Sequence, residues 1–360
     1  MKRTTATVIL ALCAALAPGQ TPAQDSDTMD ILSCTAIESD AQRLACYDQA
    51  AGRAGLPAAR KRTTEATAAP DLFQRDSKLT GTAAGGTSRP LSLLDSRWEL
   101  SPDSRLGTYN VRGYKPVYVM PGFGTNDQNT SPQSPNPDNT VSTPEHLDDV
   151  EAKFQISLKT KVWEGVFGDV GDLWIAYTQS SRWQLYNKAE SRPLRETDYE
   201  PEALLVFDTH YEVLGWQGRL LGIGVNHQSN GRSNPLSRGW NRVVADVGFE
   251  RDGWTVMVRP WWRIDEPPEN DDNPDISDYM GRGDVQIVHE RGRQEFGLML
   301  RHSLRGGDRS HGAAQLTWSF PMGGNFRGYL ELFKGYGESM IDYNHDATYV
   351  GLGVSLLDWY

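Results

Sequence analysis

His227 and Ser229 stand two residues apart at the end of an alternating stretch, Leu221-Gly222-Ile223-Gly224-Val225-Asn226-His227-Gln228-Ser229. A serine hydroxyl is a weak nucleophile and becomes useful beside a base. In an extended strand, residues i and i+2 point to the same face. Imidazole and hydroxyl therefore lie together, on the face of Leu221, Ile223 and Val225. The next alternating stretch, Asn241-Arg242-Val243-Val244-Ala245-Asp246-Val247-Gly248-Phe249, carries Asn241 on the face of Val243, Ala245 and Val247. On neighbouring antiparallel strands these three polar groups collect at one rim of an apolar surface. Such a place is expensive for them unless they bond to each other or to a ligand. The amide oxygen of Asn241 can accept the second ring N–H and set the tautomer of His227, although a neutral orienter stabilises an imidazolium less than a carboxylate does. The chemistry implied is acyl transfer from an ester, and the apolar face selects a lipid ester. A lone H-x-S also arises by chance, and polar residues at a strand end can sit among lipid headgroups. No G-x-S-x-G elbow is present, which argues against a soluble α/β-hydrolase.

The elements that must position these groups are strands. Twelve period-2 segments lie near 107–120, 151–164, 172–186, 202–213, 217–229, 240–250, 254–264, 280–290, 294–304, 311–320, 325–335 and 347–360. Links after the even strands are short and contain Gly, as in Leu214-Gly215-Trp216, Arg251-Asp252-Gly253 and Arg291-Gly292-Arg293. Those after most odd strands are long: 121–150, 187–201, 230–239, 265–279 and 336–346. Hairpins with long loops at one end, an even strand count and a terminal aromatic, Tyr360, predict an all-β fold: a twelve-stranded antiparallel transmembrane β-barrel. A soluble β-sandwich fits strands of this length with one-sided loops poorly. Beyond the N-terminus no stretch approaches the ~20 apolar residues of a membrane helix.

The net charge of −11 argues against nucleic acid as a partner. Lys2 and Arg3, the apolar run Val8 to Ala17 and the small-residue stretch Thr21-Pro22-Ala23 predict a signal peptide over 1–24, hence export. Cys13 leaves with it, so Cys34 and Cys46 can form one disulfide. Residues 25–50 are then a small Cys-containing N-terminal periplasmic extension, read as a helical hairpin. Residues 51–90 read as a flexible linker and 91–360 as the barrel.

The stretch Asn226-His227-Gln228-Ser229-Asn230-Gly231-Arg232-Ser233-Asn234-Pro235-Leu236-Ser237-Arg238-Gly239-Trp240-Asn241-Arg242 resembles the signature of the outer-membrane phospholipase A family. Tyr177-Thr178-Gln179, Arg195-Glu196-Thr197, Tyr199-Glu200-Pro201, Asp271-Asp272-Asn273-Pro274-Asp275-Ile276 and Gly335-Tyr336-Gly337-Glu338-Ser339 resemble further family blocks in the same order, over roughly 107–360. The resemblance implies a calcium-dependent outer-membrane enzyme. It would hydrolyse sn-1 and sn-2 acyl esters of phospholipids and lysophospholipids as a homodimer. Ser229 matches the nucleophile, His227 the base and Asn241 the orienting residue. Ca²⁺ would be held by Arg232 and Ser237, partly through backbone carbonyls, with Ser191 from the second subunit, and Asp272 matches a further calcium-site carboxylate. Gln179, which continues the apolar parity of Leu173, Ile175 and Tyr177, matches a dimer contact. Asn234 departs from the Asp often found in relatives and puts a calcium site within the monomer in doubt. The alternative is a barrel without chemistry, a channel or structural protein in which Arg242, Asp246 and Glu250 line a pore or plug it.

Overall fold

The computed structural model describes residues 31–50, 80–82, 88–190, 192–323 and 326–358. The signal peptide, most of the linker, Ser191 and Tyr360 lie outside the described residues. Contacts divide the chain into a unit ending at Ala69 and a unit beginning at Pro70. In the first, a 3-10 turn (Ile31–Ala36) precedes helix α1 (Asp40–Ala50), and a Cys34–Cys46 disulfide joins them. Helix α1 has no buried residue, so the crosslink takes the place of a core that so short a segment cannot build.

In the second unit twelve strands close into a ring. They are β1 (Val111–Gly113 continuing as Val117–Gly124), β2 (Val150–Trp163), β3 (Asp172–Trp183), β4 (Leu194–Val213), β5 (Trp216–Ser229), β6 (Gly239–Arg251), β7 (Trp254–Ile264), β8 (Gly283–Arg291), β9 (Gln294–His302), β10 (Gly312–Gly323), β11 (Phe326–Tyr336) and β12 (Asp346–Leu357). Each pairs antiparallel with its sequence neighbours, and β12 pairs back onto β1. Closure leaves no open sheet edge, which matters in lipid, where an unpaired backbone group costs several kcal/mol. Leu214 and Gly215, and Asp252 and Gly253, all have positive φ. These are the two-residue turns whose twist suits tight hairpins.

The predicted segments match the observed strands closely, with one large difference. The fourth strand begins at Leu194 rather than near 202. The stretch Arg195 to Pro201 alternates charged and other residues and lacks an apolar face, so it reads as loop. Its charged members point inward, where they are buried and paired, and the strand runs on past the apolar belt.

Outside and inside are inverted relative to a soluble protein. Ile175, Leu221, Ile223, Val225, Leu316, Leu332, Val350 and Leu352 are exposed on the outer surface, while Lys161, Glu202, Glu331 and Arg242 are buried inside. A continuous exposed apolar belt of this kind calls for lipid around it. The lumen is filled by ion pairs: Arg259 with Glu202 (2.5 Å) and Asp246 (2.9 Å), Lys153 with Glu331 (2.7 Å) and Glu338 (2.8 Å), and Arg195 with Glu151 (2.9 Å) and Asp342 (2.9 Å).

Helix α2 (Leu93–Trp98), preceding β1, tucks in at the short-turn end. Its Leu94 N–H donates to Glu250 at 2.7 Å, and Trp98 packs edge-on to Tyr114 and Trp174. At the long-loop end, the segment after β11 buries Met340, Ile341 and Tyr343. A cavity of about 180 Å³ lies among Lys115, Glu200, Arg242, Asp284 and Arg301. Of the residues that could have lined a pore, Arg242, Asp246 and Glu250 all belong to this bonded interior.

Candidate active site on the outer barrel surface

Strands β5 and β6 are in register with His227 opposite Asn241 and Ser229 opposite Gly239. Burial alternates along both strands. Gly222 and Asn226 are buried while Leu221, Ile223, Val225 and His227 are exposed, with Ser229 half-buried. On β6 the lumen-facing Arg242, Val244 and Asp246 are buried, and Asn241 shares the half-buried outer face with Val243 and Ala245. The pleat therefore carries His227, Ser229 and Asn241 to the outer surface at the long-loop rim. There His227 Nδ1 lies 2.8 Å from Asn241 Oδ1. With an acceptor at Nδ1, the neutral ring carries its proton there and keeps Nε2 as the basic nitrogen.

The flanks of Ser229 are a Tyr and a Gly. Tyr199 of β4 opposes it on one side and Gly239 on the other. A Cβ at position 239 would lie 3.4 Å from Ser229 Cβ, so any longer side chain would lean over the hydroxyl. Asn273 holds Gly239 in place: the Gly239 N–H donates to Asn273 Oδ1 at 2.9 Å, and Asn273 Nδ2 donates to the Gly239 carbonyl at 3.0 Å. Asn273 is fully buried and stands next to Asp272 in the loop after β7.

Two residues carry no assigned role in the sequence reading. Asn273 lies in a family block but has no periodic signal, because it braces the backbone of a distant strand. Glu266 did carry one. Asn241 Nδ2 donates to its Oε1 at 2.8 Å. Asn241 pairs with Ile264, and Glu266 continues the outward parity of Trp262 and Ile264 past the end of β7.

The residues implied for calcium divide into two groups. Ser237 and Asp272 come together, the Ser237 hydroxyl donating to Asp272 Oδ2 at 2.6 Å. Arg232 sends its guanidinium to the Arg195 carbonyl at 2.5 Å. A serine hydroxyl and backbone carbonyls are hard oxygen donors of the kind that suits Ca²⁺. In the monomer, Asn234 and Asp272 face a common partner. Asn139 Nδ2 already sits among Asn234 Oδ1 (3.2 Å), the Ser237 carbonyl (3.0 Å) and Asp272 Oδ1 (3.1 Å). Among the described residues no cluster of three or more His, Cys, Asp or Glu forms a metal cage. Gln179 lies on the outer face of β3, as its parity requires, and accepts from the Tyr177 hydroxyl at 3.3 Å.

Comparison with known proteins bears on this arrangement. The family model described as Phospholipase A1 matches residues 94–356. The Escherichia coli K12 protein named phospholipase A1 is 43% identical over 208 residues, which are 58% of this chain and 70% of that relative. A solved structure of Salmonella typhi outer membrane phospholipase, described as a dimer with bound calcium, is 37% identical, covering 70% of this chain and 94% of that one with a TM-score of 0.63. A structure of the E. coli outer membrane phospholipase A, described as an active-site mutant with asparagine replaced by alanine, is 35% identical, covering 74% and 98% with a TM-score of 0.63. The match spans the barrel, α2 and the strands that bear His227, Ser229 and Asn241, and from it we conclude that this chain belongs to the phospholipase A1 family of outer-membrane β-barrels.

Proposed function

We propose that this chain hydrolyses the sn-1 and sn-2 acyl esters of phospholipids and lysophospholipids at the outer barrel surface, with Ser229 as nucleophile, His227 as base and Asn241 as orienter. The observation that carries this reading is the 2.8 Å His227–Asn241 contact, on the lipid-facing side and in register beside Ser229. An acyl chain still in the bilayer can reach that face without leaving lipid. Ser229 Oγ attacks the ester carbonyl while His227 Nε2 takes its proton, then returns it to the departing lysolipid oxygen. Water attacks the resulting acyl-serine with His227 again as base, and the fatty acid leaves. The family pairing of enzyme, dimer and calcium supports a homodimer as the working form, with Gln179 at the contact. Arg232 and Ser237, with Ser191 of the partner subunit, would hold Ca²⁺, which supplies electrophilic stabilisation of the oxyanion. Asp272 is assigned the task of setting Ser237. The test is fatty-acid release in detergent, with and without calcium, from wild type and Ser229→Ala. A loss of at least about a thousandfold in the variant is expected; equal release from both would remove Ser229 from the mechanism.

A further inference from the structure

We propose that Glu266 is a positioning residue of the catalytic arrangement: it fixes the Asn241 carboxamide so that oxygen, not nitrogen, meets His227. The inference rests on the catalytic reading above and extends it to a residue outside the Ser-His-Asn set. Asn241 bridges two groups at equal distance, its Oδ1 2.8 Å from His227 Nδ1 and its Nδ2 2.8 Å from Glu266 Oε1. A carboxamide is nearly symmetric in shape, so contact alone does not decide which end faces the imidazole. An ionised carboxylate has only acceptors to offer. If the amide turned over, its oxygen would face the Glu266 oxygens and its NH₂ would face His227 Nδ1. That ring would then keep its proton on Nε2, where it cannot take one from Ser229. With Glu266 in place, the amide nitrogen is held on the carboxylate side and the productive tautomer follows.

Charge adds to orientation. A neutral orienter stabilises the imidazolium of the transition state weakly, and a carboxylate one hydrogen bond further out polarises the amide oxygen toward it. The division of labour is thus an amide in contact and a carboxylate behind it. Half-buried Glu266 sits just beyond β7, on the outward side, where it meets Asn241 but none of the lumenal ion pairs.

The experiment compares wild type, Glu266→Gln, Glu266→Ala, Asn241→Ala and the Glu266→Ala/Asn241→Ala double variant, refolded as full chains in detergent micelles. Glu266→Ala should lower kcat roughly tenfold at unchanged KM, and the near-isosteric Glu266→Gln by less. In the Asn241→Ala background, removal of Glu266 should cost nothing further, since its effect runs through that amide. Nitrogen NMR of the His227 ring supplies a readout independent of turnover: one tautomer with the proton on Nδ1 in wild type, a mixture in Glu266→Ala. Losses that multiply in the double variant, or an unchanged ring tautomer with unchanged kcat, would overturn the proposal. If Ser229→Ala retained full turnover, the catalytic reading would fail instead, while the ring spectrum would still report on Glu266. Should Glu266→Ala fail to refold, Glu266→Gln carries the same comparison.

Discussion

The outward polar groups at the long-loop rim form a short line across adjacent strands: Tyr199, then His227 with Ser229, then Asn241, then Glu266. Each is expensive in a lipid-facing position unless it is bonded. The His227–Asn241 bond and the Asn241–Glu266 bond meet that cost in a monomer, before any substrate arrives. Asn241→Ala should therefore lower kcat by about 10- to 100-fold and leave KM nearly unchanged, because orientation is lost while nucleophile and base remain. Steady-state kinetics on a soluble lysophospholipid would show this; full turnover in the variant would mean that His227 is oriented by another group. The shared outward face of His227, Ser229 and Asn241 was legible from parity, and their roles from the family resemblance. Asn273 was not, because a side chain that braces another strand's backbone leaves no periodic trace.

At the scale of elements, the rim is held by loops that fold back over the barrel end. Arg238 ties the loop after β1 to the loop after β5, donating to the carbonyls of Asn139 (2.9 Å) and Ser237 (2.7 Å). The segment after β11 enters the lumen on Glu338, which receives Arg182 at 2.9 Å and Lys153 at 2.8 Å. Burial alone would raise the Glu338 carboxyl, but Arg182 and Lys153 outweigh it and bring it down to about 2. A carboxylate whose folded pKa is depressed stabilises the docked state fully above its unfolded value, and that contribution fades as pH falls from roughly 4.5 toward 2. Hydrogen exchange of residues 337–345 should accordingly rise across that window in wild type. Glu338→Gln, which cannot ionise, should show no such step; a step of the same size in both would assign it to another carboxylate.

At the scale of the whole molecule, an apolar belt encloses a charged, paired interior. That arrangement suits an enzyme that works on its outer wall and has little need of a pore. Pairing two such walls in lipid has no hydrophobic driving force, so polar contacts set the association. Among the described residues the Gln179 side chain bonds to the Tyr177 hydroxyl alone, which leaves its amide N–H groups for the proposed dimer contact. Gln179→Ala should weaken a homodimer by roughly 1–2 kcal/mol, or about tenfold in Kd, with the monomer fold unchanged. Calcium-dependent cross-linking in micelles measures this, and undiminished dimer in the variant would place the contact elsewhere.

The sequence by itself determined the strand count, the alternation of turns and loops, and the face on which His227, Ser229 and Asn241 stand. All three follow from the period of two, which belongs to each strand separately. It also carried the family signature. Tertiary structure decided what alternation cannot encode. It extended β4 through a charged stretch that only an ion-paired lumen makes stable, and it set α2 and the segment after β11 into the two ends of the barrel. It also seated Asn139 among oxygens from two other loops. These contacts join residues 95 to 133 positions apart in the chain, so they form only once the loops fold over the end of the barrel.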